Sequence, residues 1–282
     1  MKLCRYGKPG YEKPGMIDGE GKLRDLSKIV DNLGPNEISP RGLKMLTRLK
    51  ADSLPLVNGN PRLGVPYVGI GKFVAIGLNY SDHAKEAGLP IPSEPIVFMK
   101  ATTCINGPND DVIQPRNSTK LDWEIELGVV IGTTARYVDE ASALNHVAGY
   151  CIVNDVSERA FQMATTQWDK GKGFDTSGPI GPWLVTTDEI QDPQTLDMKL
   201  EVNGKVMQSG NTRTMVFDVA KIISHVSQYM TLLPGDVIAT GTPPGVGLGM
   251  KPPVFLKPGD VMTLTIEGLG QQRQRVVPYS PQ

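Results

Sequence analysis

Leu121-Asp-Trp-Glu-Ile-Glu-Leu-Gly-Val-Val-Ile131 is the stretch on which the reading of this chain turns. Trp123, Ile125, Leu127 and Val129 recur at period two, the pattern of a half-buried β-strand. Side chains alternate across a strand, so Asp122, Glu124 and Glu126 are expected on the opposite face, roughly 6–7 Å from one another. Like charges in a row repel unless the face is wet or something positive lies between them. A solvated acidic face is one reading. A divalent cation that prefers oxygen ligands is the other.

The surrounding chain supplies further groups. Cys151-Ile-Val-Asn-Asp-Val reads as a strand running out at Asn154-Asp155, so the Asp155 carboxylate can reach a site lined by Asp122–Glu126. Its competing role is a turn or N-cap ahead of a helical stretch, Ser157–Thr165. Upstream, Gly77-Leu-Asn-Tyr-Ser-Asp-His83-Ala-Lys-Glu86 reads as a strand end and a short helix capped by Ser81 or Asp82. His83 and Glu86, three apart, share a helix face and can form a dyad that moves a proton, or simply a solvated pair. Arg159, four residues past Asp155, and Lys172, in a glycine-rich loop, can bind a carboxylate or stabilise enolate charge; a surface salt bridge is the alternative. Ala239-Thr-Gly-Thr-Pro-Pro-Gly-Val-Gly-Leu-Gly249 carries neither a Walker lysine nor GxGxxG spacing, and Pro252-Pro253 forbid a following helix. It reads as a turn with backbone N–H groups and Thr242 free for an anion.

Composition limits the function classes. The chain of 282 residues is 39% apolar and carries a net charge of −1, which gives no electrostatic case for nucleic acid or an anionic membrane. The opening Met1–Met16 is polar and broken by Gly and Pro, unlike a signal peptide, and no apolar run approaches a membrane span. Three cysteines, Cys4, Cys104 and Cys151, are far apart and without CxxC spacing, which fits a reducing cytoplasm. Gly and Pro make up about a fifth of the chain and cut it into short segments, favouring strands over long helices.

Residues 1–66 are expected to form a small N-terminal α+β domain. It holds a hairpin around Asp18-Gly-Glu-Gly21 and a short helix in Ser39–Lys50 with Ser39 as N-cap and Pro40 at its first position. Residues 70–282 are expected to form a β-rich catalytic domain. It opens on the buried strand Gly71–Gly77, and two of its strands follow Pro-Gly turns at Pro234-Gly235 and Pro258-Gly259. Helices are predicted over Ser81–Ala87 and Val216–Met230. His146 and His225 sit in undistinguished contexts.

In this order the pieces resemble the fumarylacetoacetate hydrolase superfamily. The motifs that carry the resemblance are Gly-Leu-Asn-Tyr-Ser-Asp-His83-Ala-x-Glu86, Phe98-Met-Lys100, Asp122-x-Glu-x-Glu-Leu and Asn-Asp155-Val-Ser-x-Arg159. They continue with Lys172-Gly-Phe-Asp and Thr240-Gly-Thr-Pro-x-Gly-Val-Gly, so the match covers about residues 70–280. The amino-terminal section resembles the small extra domain of bacterial members. Among these the opening of the chain looks closest to proteins labelled ureidoglycolate lyase or 2,4-diketo-3-deoxy-sugar-acid hydrolase. The resemblance implies an α+β, β-rich mixed roll or barrel, usually a homodimer. It implies Mg²⁺ or Mn²⁺ held by Glu124, Glu126 and Asp155, with His83, Glu86 and Lys172 as catalytic residues. Arg159, Gln162, Thr242, Lys100 and Tyr80 would bind substrate, Thr242 through the substrate carboxylate.

The reaction implied is hydrolysis of the C3–C4 bond of a 2,4-dioxo acid, a small-molecule 2-oxo acid substrate. The alternatives are ureidoglycolate cleavage, oxaloacetate decarboxylation, and isomerisation of the 2-hydroxyhepta-2,4-diene-1,7-dioate type. Residues 87–94, rich in Gly and Pro beside the dyad, would be hinge candidates for a moving lid.

Overall fold

The computed structural model describes residues 1–281; Gln282, the last residue of the second predicted section, lies outside the described residues. Most of the chain is short strands. Ten of them form one mixed sheet, whose main path begins Leu23–Asp25, Lys13–Ile17, Lys2–Tyr6, Gly178–Thr186 and Val147–Asn154. It continues through Ile125–Ile131, Val237–Ala239 and Phe73–Gly77 to Ile96–Lys100, with Ile105–Asn106 lying parallel to Gly178–Thr186. A five-stranded sheet runs Lys205–Asn211, Asp197–Val202, Val261–Ile266, Gly270–Pro278, Val112–Gln114. The roll is open: the order of the larger sheet ends on two different edges, so the barrel expected from the family resemblance is not closed among the described residues.

The larger sheet is covered on both faces, which overturns the half-buried reading of the central stretch. Ile125, Leu127, Val129 and Ile131 pack with Ile152, Met262, Leu264 and the helix residues Ile222 and Val226. Val130, on the other face, packs with Ala75, Ala148, Val153 and residues of the first section, among them Leu3, Leu33, Ile38 and Tyr67. The period-two pattern therefore held, but the face carrying Glu126 is dry, and Glu126 itself is 2% exposed. The stretch is also not one strand. Leu121–Asp122 pairs with Ser157–Glu158 in a separate ribbon, and Ile125–Ile131 belongs to the large sheet, with Trp123-Glu124 between them.

The first section has no sheet of its own. Lys2–Tyr6 pairs antiparallel with Gly178–Thr186, so residues 1–25 extend the large sheet and share its core. The hairpin at Asp18–Gly21 forms, with Asp18 Oδ1 accepting from the N–H groups of Glu20 and Lys22. The helix Pro40–Thr47 starts as predicted, Ser39 Oγ accepting from Gly42 N at 3.2 Å. Both Pro-Gly turns precede strands, and Gly235 (φ +94°) and Gly259 (φ +98°) hold the positive φ that the type II turn requires.

Two helices are shorter than the periodicity suggests, each because a segment distant in sequence takes its first residues. The helix predicted over Val216–Met230 is Val219–Tyr229, because Asn79 takes the N–H groups of Val216 and Phe217. Val216 N donates to Asn79 O, Phe217 N donates to Asn79 Oδ1, and Asp218 then caps the helix by accepting from Lys221 N. The helical stretch expected over Ser157–Thr165 shrinks to Arg159–Gln162, since Ser157 and Glu158 are taken by the ribbon. No helix among the described residues is long and apolar enough to cross a membrane.

All three cysteines are free and buried. Burial pushes the Cys4 and Cys151 thiols up to about 12 and raises Cys104 as well. The thiolate is the reactive form, so a thiol reagent at pH 8 is expected to leave the native protein unlabelled and to titrate three thiols in denaturant. Rapid labelling of the native chain would show that at least one of these cysteines is not buried as described.

Candidate active site

The ends of several strands meet at one cavity of about 570 Å³, a size usual for small-molecule sites. Its floor is charged and its upper wall apolar. Glu124, Glu126, Arg159, Gln162, Lys172 and Thr242 line it, as do His83 and Glu86 from the helix Ser81–Ala87.

Oxygen atoms of Glu124, Glu126 and Asp155 all lie within 4.8 Å of one another. Glu124 comes from the break between two strands and Glu126 from the strand that follows. Asp155 stands one residue beyond Val147–Asn154, antiparallel to that strand, and its N–H donates to Glu124 O. Pairing thus brings residues about thirty positions apart to one point. Asp122, the third acid of the sequence pattern, turns elsewhere: it accepts from Gly247 N, Leu248 N and Arg159 Nε.

Buried carboxylates need partners. Arg159 donates to Asp122 (2.9 Å), Glu124 (2.6 Å) and Gln162 (3.0 Å). The Lys172 ammonium bridges Glu124 Oε2 (2.6 Å) and Asp155 Oδ2 (2.7 Å), and Lys100 Nζ meets Asp155 Oδ1 at 2.6 Å. Burial works to raise the Glu124 carboxyl, but Lys172 and Arg159 together hold it well below the usual carboxylate range. Glu126 moves the other way. Burial and the charges of Asp155 and Glu124 push its carboxyl well above the ordinary value, against Lys172 and the Gly241 N–H that it accepts at 2.7 Å. Burial opposes the Lys172 charge, and Asp155 and Glu124 more than restore it.

Four buried carboxylates therefore face three buried cations, and Glu126 is the one without a cationic side chain in contact. A set of three clustered carboxylate oxygens with one acid under-compensated fits a hard divalent cation such as Mg²⁺ or Mn²⁺, and it offers no soft ligand.

The other wall carries the dyad. His83 Nδ1 and Glu86 Oε2 are 3.0 Å apart, and Glu86 also accepts from Gly245 N. Glu86 thereby orients the imidazole and ties the short helix to the loop 240–249. His83 Nε2 is the ring nitrogen left for the cavity. Gly241 in that loop needs to be glycine: its φ is +95° and a Cβ would stand 2.8 Å from Asn79 Cβ.

Several expected residues sit differently. Tyr80 does not line the cavity; it is in the core with its hydroxyl 3.1 Å from Met198 Sδ. Lys100 is fully behind the floor, on Asp155, Lys172 O and Ser177, with no cavity surface. Lys172 is not in a loop but at the end of the short helix Asp169–Lys172. Thr242 does line the cavity, yet its hydroxyl donates to Ile125 O (2.8 Å) and accepts from Gln208 Nε2 (2.7 Å). A hydroxyl has one proton to give, so the side chain has none left for a substrate carboxylate. Gln208, fully buried, also accepts from Ile125 N and so locks the loop to the acidic strand. A lone glutamine in a strand carries no sequence signal for that role, whereas Asn79 lay within a motif already singled out. His225 stacks edge-on against Tyr229 on its helix, and neither it nor His146 lines the cavity.

Residues 72–277 match the family model for the fumarylacetoacetate (FAA) hydrolase C-terminal region. The chain belongs to the fumarylacetoacetate hydrolase family. It is 61% identical over 278 residues to a 2,4-didehydro-3-deoxy-L-rhamnonate hydrolase of Sphingomonas sp. strain SKA58, a match covering 98% of this chain and 96% of the relative. The fold is similar to that of the fumarylacetoacetate hydrolase of psychrophilic Exiguobacterium antarcticum. The TM-score there is 0.89 at 38% identity, covering 99% of this chain and 100% of the other. A maleylpyruvate hydrolase from Sphingobium sp. SYK-6 is also similar (TM-score 0.82, 30% identity, 99% and 100% covered). The α+β, sheet-dominated class is that of the fumarylacetoacetate hydrolase neighbours, and the chain is an enzyme of their family.

Replacing Arg159 tests the balance of the floor. Arg159→Ala leaves Asp122 and Glu124 buried without their guanidinium and is expected to lower unfolding free energy by about 3–5 kcal/mol. Urea unfolding of the two proteins measures it; an unchanged midpoint would mean the ion pairs contribute nothing net.

Proposed function

We propose that this enzyme hydrolyses the C3–C4 bond of a 2,4-dioxo acid of the 3-deoxy-sugar-acid or acylpyruvate type, releasing pyruvate and a second carboxylic acid. The observation that carries the reading is the apposition, across one cavity, of the acid cluster Glu124, Glu126 and Asp155 and the dyad His83–Glu86. The name of the Sphingomonas relative supports the substrate class.

Glu124, Glu126 and Asp155 would hold Mg²⁺ or Mn²⁺. When bound, the cation supplies a Lewis acid for the carboxylate and 2-oxo oxygen of the substrate. The remaining work falls to the chain. His83, oriented by Glu86, takes a proton from water. The hydroxide adds to the C4 carbonyl carbon, the C3–C4 bond breaks, and its electron pair passes to the pyruvate enolate. The Lys172 ammonium, at the cavity floor, offsets that charge, and Arg159 keeps Glu124 in place beside it. The proton held by His83 goes to C3, so one water is consumed and both products leave closed-shell. The Thr242 hydroxyl keeps the loop in register, and its backbone N–H, taken by no other group among the described residues, would be left for the substrate carboxylate. The active unit would be a homodimer in the cytoplasm.

EDTA treatment is expected to abolish pyruvate release from a 2,4-dioxo acid, and Mg²⁺ or Mn²⁺ to restore it. Urea or CO₂ from ureidoglycolate or oxaloacetate, with the dioxo acid untouched, would move the enzyme to the lyases. A His83→Ala variant should fold, retain metal binding and lose about 10²–10⁴-fold in kcat. Full turnover in that variant would remove His83 from the role of base.

A further inference from the structure

Glu124 and Glu126 flank Ile125, and both backbone polar groups of that residue are held by side chains. Ile125 N donates to Gln208 Oε1 at 3.0 Å, and Ile125 O accepts from the Thr242 hydroxyl at 2.8 Å. Gln208 Nε2 closes the ring by donating to Thr242 Oγ1 at 2.7 Å, and it also donates to Pro243 O at 2.7 Å. The ladder from Val237–Ala239 covers Gly128, Val129 and Val130 and stops short of Ile125. Ile125 N–H needs an acceptor and Pro243 O needs a donor. A primary amide supplies both, a carboxylate only the first and an apolar side chain neither.

The second sheet bends to deliver this amide. Val206 and Gln208 would share a face in a regular strand, yet Val206 is 50% exposed and Gln208 is fully buried. Leu200 pairs with Gln208 and Glu201 with Val206, so Met207 is an extra residue, a β-bulge that turns Gln208 inward. The bulge packs against the loop 240–249. Gly245 has φ +103°, a Cβ on it would collide with Met207 O, and its N–H is the one that Glu86 accepts.

We propose that Gln208 is a positioning residue for the acid cluster: through Ile125 and Thr242 it fixes the spacing and direction of Glu124 and Glu126, and so sets the affinity of the cluster for a divalent cation. The inference rests on the reading that Glu124, Glu126 and Asp155 hold such a cation. Glu124 has Arg159 and Lys172 to hold it besides. Glu126 has the N–H of Gly241, the residue before Thr242. Slack at Gln208 therefore reaches Glu126 from both ends, through its backbone at Ile125 and through its carboxylate at Gly241. Groups that orient metal ligands without touching the metal are worth about 10–100-fold in metal affinity.

Calorimetric titration of Mn²⁺ into the wild-type protein and its variants tests this, with urea unfolding of each alongside. Gln208→Met keeps the length of the side chain and removes the amide, and is expected to weaken Mn²⁺ binding by about 10–100-fold. Thr242→Val should do the same, whereas Thr242→Ser, which keeps the hydroxyl, should bind like the wild type. The double variant with Gln208→Met and Thr242→Val should be little weaker than the weaker single, because both changes open one ring. Unchanged affinity in Gln208→Met and Thr242→Val, even with a lower unfolding midpoint, would overturn the inference and leave the metal reading intact, since the ring would then serve stability alone. Losses that add in full would overturn it too. If Gln208→Met does not fold, the comparison of Thr242→Val with Thr242→Ser decides: equal affinities overturn the inference, and a loss in the valine variant alone supports it. Failure of the wild-type protein to bind Mn²⁺ would overturn the metal reading itself and this inference with it.

Discussion

Burying several carboxylates at one point is the constraint around which this molecule is organised. Glu124, Glu126, Asp155 and Asp122 are all nearly inaccessible to water. A cluster of that kind unfolds its own protein unless cations are delivered to it from other parts of the chain. Lys100 arrives from a strand, Lys172 from the end of a short helix, and Arg159 from the start of the short helix after the ribbon that pairs with Asp122. Each is buried with the carboxylates it contacts. The floor is thus an ion-pair network at the base of the cavity, and Glu126, with a backbone N–H rather than a cation in contact, is its under-compensated member.

The two-faced sheet is what makes such burial affordable. Residues from the first section cover one face and the five-stranded sheet with the helix Val219–Tyr229 covers the other. The acidic residues at the strand ends are therefore surrounded on all sides but one, and the open side is the cavity. Backbone and amide contacts then fix the mobile pieces to this frame. Asn79 joins the loop before the dyad helix to Phe217 and Thr240, Gln208 joins the strand of Glu126 to Thr242, and Glu86 joins the dyad helix to Gly245. The dyad and the acid cluster belong to separate elements, yet both are tied to the loop 240–249, so their separation is set by that loop.

Much of this was legible along the chain. Period-two alternation placed Ile125, Leu127 and Val129 together, the Pro-Gly pairs announced two strands, and Ser39-Pro40 announced a helix start. The spacing of His83 and Glu86 is enough to put them on one helix face, where they meet. The errors have one cause: each concerns what lies on the far side of a residue. The central strand is expected half-buried because the section that covers its acidic face lies far away in sequence. Lys100, at the end of a strand whose neighbours alternate between its faces, and Tyr80, at the cap of the dyad helix, both lie inside motifs that line the cavity elsewhere yet point into the protein. Thr242 reaches the cavity with its hydroxyl already committed, a fact that depends on Gln208 in a distant strand.

Local order, then, was written in the sequence: which residues alternate, where turns and helix starts fall, and which acids and bases recur at spacings that chemistry uses. These depend only on backbone geometry and on contacts within a few residues. The tertiary structure alone decided which carboxylates come within 4.8 Å of one another, which cations neutralise them and which one is left over. Burial and charge compensation are properties of the space around a residue, and here that space is filled by strands brought together from both ends of the chain.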